Sequence, residues 1–130
     1  MEYNLNIGAS HTNEKLVERQ DTAAFMGSGT VEVFATPAMI LLMELAARNA
    51  VQGDLPSGST TVGTLVNVQH VAATPLGAKV AAKAVLTHID GRKLTFNIEA
   101  TDENGVIGKG VHERVIIDVE RFMARLTKNG

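Results

Sequence analysis

The period of the apolar residues changes once along this chain, and that change limits the folds open to it. From Thr36 the sequence reads Thr-Pro-Ala-Met-Ile-Leu-Leu-Met-Glu-Leu-Ala-Ala-Arg-Asn-Ala-Val-Gln-Gly, with a capping hydroxyl at the start, a proline at the first helical position and Gly53 to end it. This predicts one long helix. At about 100° per residue, Ile40, Leu41, Ala47 and Val51 share a side with Glu44, while Met39, Leu42 and Ala46 fall opposite. A helix apolar on every side is expected to be buried. Later the period drops to two: Leu94, Phe96, Ile98 and Ala100 alternate with Lys93, Thr95, Asn97, Glu99 and Thr101, the pattern of an antiparallel strand with one wet face. Asp90-Gly91 and Asn104-Gly105 tolerate the positive φ of tight hairpins, so they divide this half into strands expected near 61–73, 78–89, 92–102 and 106–117. A further strand is expected between Glu14 and Thr22. Asp118 is expected to cap a short terminal helix striped by Val119, Phe122, Met123 and Leu126.

A single helix and a run of strands hide each other's apolar faces when the sheet wraps around the helix, which makes the class α+β. The 130 residues fit one domain, long enough to close a core without metal or disulfide staples. With one Tyr, four Phe and no Trp, that core is filled by Val, Ile, Leu, Met and Ala, and such small residues let elements approach closely. Met26 to Thr30 and Gly53 to Thr60 read as loops rather than domain linkers. A curled open sheet leaves edges, and pairing with a second copy covers them, so a homodimer is expected.

Twelve basic against fourteen acidic residues give a net charge of −2 with no basic run, which argues against nucleic-acid or membrane-surface partners. The absence of cysteine removes thiolate nucleophiles, disulfides and cysteine-ligated zinc. The first residues lack the positive region and apolar stretch of a signal peptide, and no apolar run is long enough to span a bilayer, so a cytoplasmic location is expected. There is no Gly-x-Ser-x-Gly elbow, phosphate loop, His-Glu-x-x-His or complete Gly-x-Gly-x-x-Gly. Serine-hydrolase, NTPase, zinc-protease and dinucleotide readings have no motif behind them.

Glu44 stands among apolar neighbours on its helix, and an ionised carboxylate buried alone loses several kcal/mol of solvation. Either it pairs with Arg48 one turn on, or it serves a site. His70 is in phase with Val62, Val66, Val68 and Ala72, so without a bulge it points at the helix, where an imidazole beside a carboxylate makes a general base. A core histidine satisfied by a backbone carbonyl is the other reading. Thr36 reads first as a helix cap, and a hydroxyl there also stands beside unpaired N–H groups that favour a carboxylate or oxyanion. On the last strand Gly108, Gly110, His112 and Arg114 share a face. Paired glycines in a strand mark a bulge or close approach by a backbone or ligand, and Arg114 is either a clamp for phosphate or carboxylate or an ordinary surface residue. His11 and His88 fall in no pattern and are assigned to surface or packing.

Taken together, Val33-Phe34-Ala35-Thr36, Met43-Glu44, Gly63-Thr64, Val68-Gln69-His70-Val71-Ala72-Ala73-Thr74-Pro75 and Gly110-Val111-His112-Glu113-Arg114 resemble the fluoroacetyl-CoA thioesterase family of hotdog-fold proteins, with the spacing kept from about Val31 to about Met123. The resemblance implies a hotdog fold and an acyl-CoA thioesterase that works as a homodimer with its site at the subunit interface. Thr36, Glu44 and His70 would be its catalytic group. It implies that Glu44 attacks the thioester or activates the attack, that His70 transfers protons and activates water, and that Thr36 orients Glu44 and the acyl group. Phe34, Gly63, Thr64, His112 and Arg114 would be substrate-binding, Gly63 through an oxyanion-hole N–H and Arg114 with His112 on the coenzyme A side. No metal or redox cofactor is implied, since the thioester is already activated and CoA belongs to the substrate. The stretch before the helix departs from the family: bulky aromatics are replaced by Gly27 and Thr30, with Phe25 and Phe34 nearby, so another short or medium acyl chain or an aryl acyl group is expected in place of fluoroacetyl. The first thirty residues match poorly. A hotdog dehydratase or hydratase and a non-catalytic acyl-CoA or small-ligand binding module are the rival readings.

Overall fold

A computed structural model describes residues 4–128. The elements run β1 (Ser10–Leu16), a one-turn helix α1 (Ala23–Met26), the long helix α2 (Thr36–Val51), β2 (Ser59–His70), β3 (Lys79–Asp90), β4 (Lys93–Asp102), β5 (Gly105–Asp118) and a terminal helix α3 (Val119–Lys128). The strands form one antiparallel sheet in the order β1-β3-β4-β5-β2, so β1 and β2 are its edges. The four later strands and both longer helices fall where the periodicity placed them. The early strand does not: it occupies Ser10–Leu16, and the stretch to Thr22 is a loop with a single 3-10 turn at Arg19–Asp21. Asp118 caps α3 as expected, its Oδ1 accepting from the Arg121 N–H at 3.0 Å. Among the described residues no helix is long and apolar enough to cross a membrane.

The hairpin between β3 and β4 pairs Asp90 with Lys93, so its two loop residues are Gly91 and Arg92. Gly91 alone takes positive φ, at 61°, which is the requirement of a turn with glycine first. Leu94, Phe96, Ile98 and Ala100 all face the core, as their alternation demands. Ala82, Ala84 and Ala100 on the sheet meet Ala46 and Ala47 on α2, and these small side chains bring helix and sheet close enough for Met39, Met43 and Phe96 to fill the remainder.

Helix α2 is not apolar all round in its surroundings. Ala38, Met39, Leu42, Met43, Ala46, Ala47 and Val51 are buried, but Pro37, Leu41 and Arg48 are exposed, Leu41 at 57%. One stripe of the helix therefore looks away from its own sheet, because the sheet wraps only partway around it. The edge strand β2 lies beyond that stripe, with Leu65 and Val66 also exposed.

Strand β2 carries a bulge: Gly63 pairs with Arg114 and Leu65 with Glu113, leaving Thr64 as the extra residue. The bulge switches which residues face the helix, so Thr61 and Gly63 share the inner face with Val66, Val68 and His70 through their partners on β5. His70 points inward as its phase suggested, whereas Val62 lies on the other face. The glycines of β5 are explained by packing and hold no space for a ligand. A Cβ on Gly110 would collide with the Asn67 carbonyl of β2, and one on Gly108 with the Met39 thioether. Gly110→Ala is expected to lower stability by about 1–3 kcal/mol in urea unfolding. Lys109→Ala, on the exposed side of the same strand, is expected to stay within about 0.5 kcal/mol of the parent.

Candidate active site

The site is built where the N-terminus of α2 meets the C-terminal end of β2. Ala35, not Thr36, is the N-cap of α2, and it caps with no side-chain bond. Thr36 is already helical and Pro37 follows it, so its hydroxyl is released from the capping role that its position before proline suggested. It is hydrogen-bonded to His70 Nδ1, the two atoms 2.8 Å apart. The other ring nitrogen, His70 Nε2, is buried and has no hydrogen-bond partner among the described residues. An unpartnered buried ring nitrogen costs free energy, and such atoms gather at reactive sites.

A cavity of about 300 Å³ opens over this pair, lined by Phe34, Thr36 and His70 together with Ala23, Ser28 and Val33. Its wall is fixed by a chain of bonds: the Phe34 N–H donates to the Thr74 carbonyl at 2.8 Å, and the Thr74 hydroxyl donates to Asp102 Oδ2 at 2.7 Å. Single bridges from Thr22 to Phe34 and from Val33 to Pro75 tie the preceding segment to the same wall. Phe25 is 63% exposed and does not line this cavity, whereas the small side chains of Ala23 and Ser28 do. A larger groove of about 640 Å³ crosses the outer face of the sheet between Asn67, Lys83, Asn97 and Lys109. It contains no imidazole or hydroxyl, whereas the smaller cavity holds both.

Glu44 does not reach His70 within one chain. Its ion-pair partner is Arg114, with Nη1 3.6 Å from Glu44 Oε2, and the alternative pairing with Arg48 is not formed: Arg48 turns to Asn49. Eight residues separate Thr36 from Glu44, which at about 1.5 Å per residue sets them roughly 12 Å apart along the helix. The three residues singled out in the sequence therefore fall into two groups: Thr36 with His70, and Glu44 with Arg114, His112 and Gly63.

The second group is tightly knit. A Cβ on Gly63 would stand 2.9 Å from Glu44 Oε2 and 3.3 Å from His112 Cε1, so glycine is required for the carboxylate to lie there. His112 is fully buried and Arg114 is 6% exposed. Both lie inside the fold behind Glu44. Thr64 is exposed in the bulge, its hydroxyl donating to the Glu113 carbonyl at 3.3 Å. Thr61, which anchors Arg114, had escaped notice; in the sequence its only signal is the two-residue step to Gly63.

Burial pushes both imidazoles below the ordinary histidine range. For His70 the Ala72 backbone opposes the shift. For His112 burial leads, the Leu65 carbonyl opposes it, Arg114 adds to it and Glu44 partly offsets it. Burial thus favours the neutral form of both rings.

A curled antiparallel sheet wrapped partway around one long helix defines a hotdog-fold protein. Residues 17–120 match the fluoroacetyl-CoA-specific thioesterase family, and the chain belongs to it. The fluoroacetyl-CoA thioesterase of Streptantibioticus cattleyicolor is 42% identical over 95 residues, 73% of this chain and 68% of that protein. A solved structure of a fluoroacetyl-CoA thioesterase superposes with a TM-score of 0.91 at 33% identity, covering 98% of each chain. A thioesterase superfamily member from Thermus thermophilus gives a TM-score of 0.87 at 30% identity, over 95% of this chain and 91% of the other.

Because both folded-state imidazole values are depressed, the unfolded chain binds more protons as the solution is acidified. The stability they contribute is fully present above about pH 6.5, the unfolded value, and is lost as pH falls through the lowered folded values. Urea midpoints at about pH 7.5 and about pH 5 measure this, and His112→Gln is expected to flatten the slope. An unchanged slope contradicts the assignment for His112.

Proposed function

We propose that this protein hydrolyses small or short-chain acyl-CoA thioesters as a homodimer, each active site taking Thr36 and His70 from one copy and Glu44 with Gly63 from the other. The observation that carries the reading is the division of the three residues into two groups on one helix. A second copy related by a two-fold axis runs antiparallel and reverses the order of the groups. If β2 pairs with its copy about Asn67, the bulge at Thr64 makes Val68 face Val66 and His70 face Gly63 across the new junction. The same junction covers the exposed edge of β2 and the Leu41 stripe of α2.

In this reading the Glu44 carboxylate attacks the thioester carbonyl carbon, or draws a water onto it. The Gly63 N–H receives the charge that grows on the carbonyl oxygen. The C–S bond breaks, the CoA thiolate takes its proton through His70, and water, giving a proton to His70, releases the carboxylic acid. Thr36 fixes the His70 ring, to which it is hydrogen-bonded. The reaction needs no metal or redox cofactor, because a thioester is already activated toward attack. Ala23 and Ser28 in the cavity lining favour acyl groups larger than fluoroacetyl. The same reading carries a cytoplasmic location, where an acyl-CoA substrate is met.

Thiol release over a series of acyl-CoAs tests the proposal. The parent is expected to release CoA thiol, and Glu44→Gln and His70→Ala are each expected to lower kcat by about 10²–10⁴ with the fold retained by circular dichroism. Equal turnover by parent and His70→Ala removes His70 from the mechanism. Hydration or dehydration of an acyl-CoA without thiol release assigns the site to a hydratase or dehydratase instead, and retention of acyl-CoA without turnover marks a binding module.

A further inference from the structure

We propose that Arg114 and His112 form a buried positioning relay that aims the Glu44 carboxylate, and that neither touches coenzyme A. A guanidinium takes a phosphate or carboxylate bidentately through its Nε–Nη2 edge or its Nη1–Nη2 end. In Arg114 the Nε–Nη2 edge is spent on one residue: Nε donates to the Thr61 hydroxyl at 2.7 Å and Nη2 to the Thr61 carbonyl at 3.0 Å. The third nitrogen, Nη1, donates to His112 Nε2 at 3.2 Å and faces Glu44 Oε2 at 3.6 Å. At that separation the contact with Glu44 is Coulombic rather than a short hydrogen bond.

His112 determines where Nη1 points. Its Nδ1 lies 2.8 Å from the Leu65 carbonyl, which can only accept, so Nδ1 carries the proton and Nε2 presents a lone pair. A charged His112 would set an N–H against the N–H of the guanidinium, so the relay requires a neutral ring. Leu65 is the residue that follows the Thr64 bulge. The relay thus runs from the bulged backbone through His112 and Arg114 to Glu44, with Thr61 as its second anchor. Gly63, between Thr61 and the bulge, leaves the carboxylate its space. Glu44 is the nearest compensating charge for a cation buried to 6% exposure, and its own side chain keeps 37% exposure toward the outer stripe of α2. Such a cation holds a carboxylate in place from behind and leaves its front free.

The kinetic test rests on the thioesterase reading; a structural test does not. In Arg114→Met, kcat is expected to fall by about 100-fold while KM and inhibition by free CoA stay within about twofold. Arg114→Lys, which returns the charge without the fork, is expected to recover part of the lost kcat. The double variant Glu44→Gln with Arg114→Met is expected to be no slower than Glu44→Gln alone, because both changes break one device. A raised KM and weakened CoA inhibition with kcat kept would make Arg114 a coenzyme contact, and a further loss in the double variant would make its role structural; either overturns the proposal. If Arg114→Met does not fold, Thr61→Val, which keeps the guanidinium and removes its Nε acceptor, is expected to lower kcat about tenfold at unchanged KM. Unchanged kcat there also overturns it. If the parent releases no thiol from any acyl-CoA, the thioesterase reading fails, and crystal structures decide on Arg114. Glu44 leaving the space beside Gly63 in Arg114→Met supports the relay, and Glu44 staying there overturns it.

Discussion

Helix α2 carries a hydroxyl in its first turn and a carboxylate eight residues later, and the fixed rise of an α-helix keeps them about 12 Å apart. No side-chain rotation closes that distance. The remainder of the architecture follows from it: Thr36 is met by His70 at one end of β2, and Glu44 by Arg114 and Gly63 near the other. The strand that supplies both His70 and Gly63 is an open edge of the sheet. In the dimer proposed above, hydroxyl, imidazole and carboxylate would be assembled where two such edges meet, which makes oligomer and active site a single question.

The bulge at Thr64 links packing to chemistry. Without it, strict alternation would put Gly63 and His70 on opposite faces of β2, since His70 lies an odd number of steps along the strand from Gly63. With it, both face inward, and the Leu65 carbonyl is placed to receive His112 Nδ1. One extra residue therefore sets the face of the imidazole and the tautomer behind the carboxylate. The alanines of α2 and the sheet matter in the same way. They seat the helix close enough for Glu44 to come within an ion-pair distance of a guanidinium rooted in β5.

Much of this was legible in the sequence because it rests on local rules. The alternation from Lys93 to Thr101, the helix from Thr36 and the cap at Asp118 each depend on neighbours a few residues away, and each is present. Other readings turn on distant residues. Thr36 looks like a cap, yet the Ala35 backbone takes that position and frees the hydroxyl for a histidine 34 residues away. Arg48 is the natural local partner of Glu44, and a buried cation on another element displaces it. The paired glycines of β5 signalled close approach by a backbone or a ligand, and it is the β2 backbone, with Met39, that comes close. The bulge has no signature beyond the threonine that forms it, so the face of Val62 was misassigned while that of His70 came out correctly. The family blocks pointed to Thr36, Glu44 and His70 as one group; that the helix sets Glu44 apart from the other two is visible only in the fold.

Subunit mixing tests this division most directly. Glu44→Gln and His70→Ala chains, each inactive alone, are unfolded, mixed in equal amounts and refolded together. If each site draws its carboxylate from one copy and its imidazole from the other, mixed dimers hold one intact site, and about a quarter of the parent's thiol release returns. If both groups act within one chain, every site in the mixture lacks one of them and no activity returns.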